Sequence, residues 1–172
     1  MRLYEYIEQG GPIMYLLLFV NIVGWALMLS KFYFISIEVK QSEKTSDDIS
    51  DGILKVKESL DTTSLIEMAK QECALYINKV EKGLNTIKII ATISPLLGLL
   101  GTVLGVLSAF HVMSKTGLSD PANFAKGISM ALITTVGGMA VAIPHFVGHN
   151  YLLGLLDKLE TSLEKRLIEK VL

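Results

Sequence analysis

The stretch IIATISPLLGLLGTVLGVLSAFHVMS, residues 89–114, is the most informative part of this 172-residue chain about its structure. It contains no charged residue and lies between Lys88 and Lys115. A helix rises about 1.5 Å per residue, so this stretch reaches about 39 Å as a helix. The hydrocarbon core of a bilayer is only about 30 Å thick. The stretch therefore predicts a membrane-spanning helix.

Two further windows without Asp, Glu, Lys or Arg occur, at residues 9–30 and 127–156. Each is long enough to cross a bilayer as a helix. The chain is 51% hydrophobic with a mean hydropathy of +0.47, which is typical of a membrane protein when the apolar runs are this long. We predict an all-α membrane protein with three transmembrane helices, the second and third extending into the cytoplasm as long helices.

Charge and cysteine content exclude several classes of protein. The net charge is −1, from 16 basic and 17 acidic residues without a basic cluster, so no nucleic-acid partner is expected. The single cysteine, Cys73, excludes an intrachain disulfide and a Cys-rich metal site. The sequence has no nucleophile elbow, phosphate loop or zinc-protease motif, so we expect no enzyme activity, cofactor or metal.

The distribution of basic residues predicts the orientation in the membrane. Thirteen of them fall on the side of residues 31–88 and the C-terminal tail, against Arg2, Lys115 and Lys126 on the other side. Basic residues favour the cytoplasm, so the N-terminus is predicted outside and the C-terminus inside. The predicted segments are a short interfacial N-terminal segment (1–12), the first transmembrane helix (13–37), a cytoplasmic helical segment (38–88), the second transmembrane helix (89–113), a short periplasmic loop (114–126), the third transmembrane helix (127–150) and a cytoplasmic C-terminal helix (151–172).

Two amphipathic stripes predict helices outside the membrane. Apolar residues recur at helical spacing from Leu65 to Ile87 and from Leu152 to Leu167. A capping box at Ser64 and Glu67 predicts the start of the first of these helices, which has no Pro before the second window and is predicted to run to about residue 114. The polar stretch 41–52 is predicted to be a loop. The two amphipathic helices could pair in the cytoplasm.

Small residues form a stripe on each of the last two spans. The stripes are Ala91, Ser94, Gly98, Gly101, Gly105 and Ser108 on the second span, and Gly127, Ala131, Thr134, Gly138, Ala142 and His145 on the third. Small residues let helices approach closely in lipid. Two such stripes exceed what a three-helix monomer needs, so we infer oligomerisation. The alternative is that the two spans pack against each other within one chain.

Polar groups are sparse inside these spans. Residues 89–114 and 127–156 contain no Asp, Glu, Lys or Arg, so hydroxyl groups and histidines are the only candidates for a proton route. A carboxylate would have to come from another subunit. His145 and His149 are four residues apart, which suits a metal pair, but no further ligand is near, so the favoured interpretation is that they lie at an interface or contact a partner.

Two stretches resemble signatures of the MotA/TolQ/ExbB proton-channel family. SPLLGLLGTVLGVLSAF (94–110) is similar to the second-span signature of that family, and GISMALITTVGGMAVAIPHFVGHNYL (127–152) to the third-span signature. Three spans rather than four resemble the ExbB or TolQ branch.

The resemblance implies a pentamer in the bacterial inner membrane, surrounded by lipid, with the second and third spans lining a central pore. The pore would hold the single-span helices of an ExbD- or TolR-type partner, whose Asp carries protons. Proton flow would energise TonB for outer-membrane import, or alternatively TolA for envelope integrity. A non-conducting scaffold that organises envelope proteins is a further alternative.

The resemblance also assigns roles to individual residues. The residues implied in the pore and proton pathway are Thr102, Thr135 and the adjacent Thr134. Those implied in helix packing and bending are Pro95, Gly98, Gly101 and Pro144. The small-residue stripes add Ser94, Gly105, Gly127 and Gly138 as packing residues. Candidates for partner contact are Met130, His145, His149 and Asn150. Many relatives have Glu where this chain has Met130, so we do not expect this subunit to titrate there.

Overall fold

The computed structural model describes residues 3–54, 61–117 and 121–171. Within these ranges the chain forms six helices and no strand, which confirms the all-α prediction. The helices are α1 (Leu3–Gln9), α2 (Gly11–Lys40), α3 (Ser42–Leu54), α4 (Thr62–Glu81), α5 (Leu84–Thr116) and α6 (Pro121–Val171). Pro121 begins α6, whereas the Asp120 that precedes it lies outside the described residues.

Helices α2, α5 and α6 are long and apolar enough to cross a membrane, which confirms the three predicted spans. Their surfaces expose bulky apolar side chains, for example Leu107 on α5 and Phe146 on α6. Such a surface suits lipid or another membrane helix rather than water. The orientation of the termini and the segment boundaries stay predictions.

The chain divides into two compact units. The first, here called the apolar unit, comprises Met1–Leu27 and Thr86–Gly148. The second, the charged unit, comprises Met28–Asn85 and His149–Leu172. Helix α6 contributes to both units, because it runs unbroken from Pro121 to Val171.

The charged unit is held together by the two predicted amphipathic stripes. The buried side chains on α4 are Leu65, Ala69, Cys73, Ile77 and Val80, and those on α6 are Leu152, Leu156, Leu159, Leu163 and Leu167. The thiol of Cys73 lies 3.9 Å from the carbonyl oxygen of Glu160, and Lys70 pairs with Glu164 at 3.8 Å. Each fully buried leucine contributes about 1.5–3 kcal/mol to the free energy of folding, so this apolar seam is the main source of stability in the unit.

The prediction of one helix from residue 64 to 114 is wrong. Helix α4 ends at Glu81 and α5 begins at Leu84, and Gly83 between them has a φ of 93°. Glycine adopts this left-handed conformation without the steric penalty of a Cβ atom. The ammonium group of Lys31 on α2 donates a hydrogen bond of 3.2 Å to the carbonyl oxygen of Val80, one of the last carbonyls of α4. A cation at a helix C-terminus stabilises it through the helix dipole.

The prediction of a loop over residues 41–52 is also wrong, because α3 occupies most of that stretch. Its buried face consists of Ser42, Ser46 and Ser50, spaced four residues apart, followed by Ile53. This buried face could not be predicted from the sequence, because serines do not produce the apolar periodicity by which a helix is recognised.

Helix α4 begins three residues earlier than the predicted capping box at Ser64 implies. Asp61, not Ser64, precedes α4, and the Ser64 hydroxyl donates a hydrogen bond to the Asp61 carboxylate. That hydrogen bond holds the pKa of Asp61 below its ordinary value.

Two glycine-to-alanine changes should shift stability in opposite directions. Gly83→Ala should lower the free energy of unfolding by about 1–2 kcal/mol, because a Cβ atom is strained at φ 93°. Gly52→Ala, inside α3 with nothing within 4 Å of the new Cβ, should raise it by about 0.5–1 kcal/mol. Thermal unfolding in detergent, followed by circular dichroism, measures both. Equal effects of the two variants would contradict the assigned joint at Gly83.

Candidate functional site

The contact between α5 and α6 in the apolar unit is made by backbone atoms. A Cβ atom added at Gly98 would lie 2.8 Å from the carbonyl oxygen of Thr134, and one added at Gly138 would lie 2.5 Å from the carbonyl oxygen of Ser94. Real Cβ atoms essentially never approach this closely. Glycine is therefore required at both positions if the two helices are to touch.

The close approach continues toward the other end of the pair. A Cβ atom at Gly105 would lie 2.9 Å from the carbonyl oxygen of Gly127, and one at Gly127 would lie 2.7 Å from the Cβ of Ala109. Gly101 faces the side chain of Thr134. All five glycines predicted for helix packing on these spans thus lie in this one contact.

The glycines of the two small-residue stripes therefore pack against the facing helix within one chain, which is the alternative given above, whereas His145 at the end of the α6 stripe faces Gly24 of α2. They consequently give no independent support to an oligomer, and the homopentamer stays a prediction. Pro95 and Pro144, predicted at bends, are half-buried inside α5 and α6, and both helices continue through them. Membrane helices tolerate interior prolines better than soluble ones do.

The hydroxyl groups of the spans bind mostly their own helix. The hydroxyls of Ser94, Thr102 and Thr134 donate to Ile90, Leu99 and Ala131 at 2.7, 2.6 and 2.8 Å. Such bonds to the preceding turn satisfy a hydroxyl without a partner from another element. The three donors are therefore already satisfied by carbonyls of their own helices.

The three threonines implied in the proton pathway differ in exposure. Thr134 is fully buried against α5, so its side chain does not reach the surface of the chain. Thr102 and Thr135 are half-exposed. Thr135 also donates a hydrogen bond of 3.3 Å to the carbonyl oxygen of Gly98, which joins α6 to α5. Of the three, Thr102 and Thr135 are the two that another molecule could reach, and their role in the pathway stays a prediction.

His145 is buried between α6 and α2 of the same chain. Its Nδ1 lies 2.7 Å from the carbonyl oxygen of Val141 and therefore carries a hydrogen, because a carbonyl oxygen can only accept. Its Nε2 has no hydrogen-bond partner and faces Gly24, where a Cβ atom would collide with the imidazole ring. The ring of Trp25 packs edge-on at 5.8 Å. Sequence reasoning missed Gly24, a lone glycine in the first span.

The other candidates for partner contact lie in different surroundings. Met130 lies beside Gly11 of α2, and a Cβ atom at that glycine would lie 3.6 Å from the Met130 methyl group. His149 is buried and Asn150 is exposed, and both belong to the charged unit. Contact of these residues with a partner protein stays a prediction.

One polar cluster in the charged unit has no counterpart in the sequence analysis. The carboxylate of Glu38 on α2 accepts hydrogen bonds from the Tyr76 hydroxyl on α4 and, at 2.8 Å, from the Thr45 hydroxyl on α3. Burial, followed by the hydrogen bond to Glu38, raises the pKa of Tyr76 to about 12. The three residues are 7 and 31 positions apart along the chain, so no local motif could have revealed the cluster.

Within residues 3–54, 61–117 and 121–171, no group of three or more His, Cys, Asp or Glu side chains could hold a metal ion. Cys73 is buried beside α6. Burial, together with the nearby carboxylates of Glu160 and Glu164, raises the pKa of this thiol to about 11. A thiol of this kind is unreactive, because the thiolate is the nucleophile.

Three long apolar helices, two of them joined backbone to backbone through glycine, define a multi-pass membrane protein. The sequence model of the MotA/TolQ/ExbB proton channel family matches residues 41–165. The chain belongs to this family, as the resemblance of its second and third spans predicted.

Individual relatives carry ExbB names. The chain is 30% identical over 186 residues to a biopolymer transport protein ExbB homolog of Methanothermobacter thermautotrophicus, which covers 89% of this chain and 63% of that protein. It is 38% identical over 91 residues to biopolymer transport protein exbB1 of Vibrio cholerae, an alignment that covers 52% of this chain and 40% of that protein. It is 41% identical over 78 residues to biopolymer transport protein ExbB of Helicobacter pylori, covering 45% and 54%. The chain thus spans less than two thirds of the length of these three relatives.

Gly138→Ala should disrupt the contact between α5 and α6. The new methyl group would meet the Ser94 carbonyl oxygen, a backbone atom that cannot turn away, so we expect a loss of at least about 1–3 kcal/mol in the free energy of unfolding. Gly154→Ala on the same helix is the matched control, because nothing lies within 4 Å of its new Cβ. Thermal unfolding in detergent compares the two, and a Gly138→Ala variant as stable as the control would refute the backbone contact.

Cys73 should react slowly with iodoacetamide in the folded chain. With a pKa of about 11 rather than the ordinary 9.0, the alkylation rate should stay low at pH 8 and rise about tenfold per pH unit toward pH 11. Because the pKa is raised by folding, its contribution to stability is fully present below about pH 9 and is lost as the pH rises through 11. Mass spectrometry of the modified chain gives the rate, and the denatured chain is the control. Equal rates at pH 8 in both states would contradict the buried thiol.

Proposed function

We propose that this chain is the pore-forming subunit of an ExbB-type complex, a motor driven by the proton-motive force and not an enzyme. In this proposal five copies surround a pore lined by α5 and α6. The pore holds the single-span helix of an ExbD-type partner, and the complex energises a TonB-type protein for import across the outer membrane. The chain then resides in the bacterial inner membrane, in contact with lipid.

The observation that carries the proposal is the chemistry of the α5–α6 pair. The pair presents hydroxyl side chains at its surface, among them the half-exposed Thr102 and Thr135, on spans that contain no Asp, Glu, Lys or Arg between residues 89 and 114 or 127 and 156. A proton crossing hydrocarbon needs groups that can bind it. Two hydroxyls on a carboxylate-free wall suit a subunit that surrounds a proton carrier supplied by another chain.

The names of the relatives favour an ExbB-type over a TolQ-type assignment. The three relatives described above are called biopolymer transport protein ExbB, exbB1 or ExbB homolog. Because the chain spans only part of their length, the TonB-type partner and the imported cargo remain part of the proposal. A Tol-Pal role in envelope integrity is the competing assignment, and the identity of the co-purifying partner distinguishes the two.

Thr135→Val tests the proposed pathway. The change keeps the shape of the side chain and removes the hydroxyl that joins α6 to the Gly98 carbonyl, so proton-driven uptake should fall at least about tenfold while the complex still assembles. Uptake in cells and proton flux in vesicles that contain the full complex are the two measurements. Thr161→Val is the matched control, because its hydroxyl binds only the Asp157 carbonyl of its own helix in the charged unit.

Native mass spectrometry of each complex, extracted gently from its own membrane, completes the test. Five copies of the 18.9 kDa chain with a small number of single-span partners would support the motor. Normal flux in Thr135→Val would overturn the role of this threonine. A complex that assembles with its partner but passes no protons would instead indicate a non-conducting scaffold.

A further inference from the structure

Helix α3 is attached to the charged unit by an unusual set of contacts. Its buried face consists of three serines and one isoleucine, Ile53. Burial of a serine contributes far less hydrophobic free energy than burial of a leucine. The apolar seam of α4 and α6, with its row of buried leucines, has no equivalent on α3.

One of the serines weakens the attachment further. The hydroxyl of Ser46 is fully buried and has no hydrogen-bond partner, whereas Ser50 donates to the carbonyl of Asp47 at 2.9 Å. A buried donor without a partner opposes docking, because it leaves water without compensation. When α3 is undocked, water satisfies this hydroxyl.

Electrostatic contacts provide the attraction that holds α3 in place, because its serine face provides little. Helix α3 carries four acidic side chains and one basic side chain. Glu43 pairs with Arg166 at 3.8 Å, and Asp47 pairs with Lys170, both on the last turns of α6. The Thr45 hydroxyl adds an uncharged contact, because it donates a hydrogen bond to the Glu38 carboxylate on α2. Both ion pairs are partly exposed, so dissolved salt screens them.

We infer that α3 is an electrostatic strap, a conformational device that docks on α4 and α6 at low ionic strength and is released at high ionic strength while the α4–α6 seam stays closed. The trigger is the ionic strength of the surrounding solution, acting on the Glu43–Arg166 and Asp47–Lys170 pairs. Release of α3 leaves the side chains of Arg166 and Lys170 on α6 without these partners and brings the Ser46 hydroxyl into contact with water. This inference does not depend on the proposed proton-driven function.

Hydrogen–deuterium exchange of the full chain in detergent, read by mass spectrometry, tests the strap. Between 50 mM and 500 mM NaCl, amide exchange in α3 should accelerate about three- to tenfold, whereas peptides from the centres of α4 and α6 should not change. Exchange in α3 that ignores salt, or that accelerates in step with α4 and α6, would overturn the inference.

Charge reversal identifies the ion pairs as the cause. Lys170→Glu should accelerate exchange in α3 at 50 mM NaCl, and Asp47→Lys added to it should restore protection by exchanging the two charges. Lys165→Glu is the matched control, because Lys165 pairs with Glu169 on its own helix at 3.9 Å and not with α3. An effect of Lys165→Glu as large as that of Lys170→Glu would show a general charge effect and refute the strap.

Ser46→Ala should act in the opposite direction. It removes the buried unpaired hydroxyl and places a better helix former in α3, so exchange in α3 should slow at least about fivefold at either salt concentration. A Ser46→Ala variant that exchanges faster than the parent would show that the hydroxyl has a partner and that the serine face is the stronger part of the attachment. That result would contradict the balance of contacts on which the strap depends.

Discussion

The backbone contact between α5 and α6 is the constraint on which the apolar unit depends. Lipid tails are as apolar as leucine, so membrane helices associate through close packing rather than through escape from water. Gly98 and Gly138 bring the two backbones into contact and leave no room for side chains between them. The bulky residues of both helices are therefore directed outward, which is why so many leucines, isoleucines and phenylalanines are exposed on this unit. Helix α2 follows the same rule where Gly24 accommodates the ring of His145.

Features that depend on length and period could be predicted from the sequence. The three spans follow from charge-free windows longer than the bilayer is thick, and the leucine stripe from Leu152 to Leu167 follows from its spacing. The positions of the packing glycines were also evident, but their partner was not. A small-residue stripe shows that a close neighbour exists, and it carries no information on whether that neighbour belongs to the same chain.

Features that depend on distant parts of the chain could not be predicted. Residues 42–54 have the composition of a loop, yet they form a helix, and two of its acidic side chains pair with Arg166 and Lys170, more than a hundred positions away. The joint at Gly83 is stabilised by Lys31 from another helix, and His145 is buried because a glycine in the first span faces it. In each case the deciding contact joins residues with no local relation in sequence, and tertiary context overrides local propensity.

The absence of Asp, Glu, Lys and Arg from residues 89–114 and 127–156 has a consequence for biosynthesis. Ser94 and Thr134 are buried and Thr102 donates its hydroxyl hydrogen to a carbonyl of its own helix, so these two stretches contain hydroxyl groups but no carboxylate that could take up a proton. In the proposed complex the carboxylate arrives only with the second protein. Copies of this chain made in excess of the partner would then conduct no protons across the membrane. In the proposed complex, dividing the conducting groups between two polypeptides would make conduction depend on complete assembly.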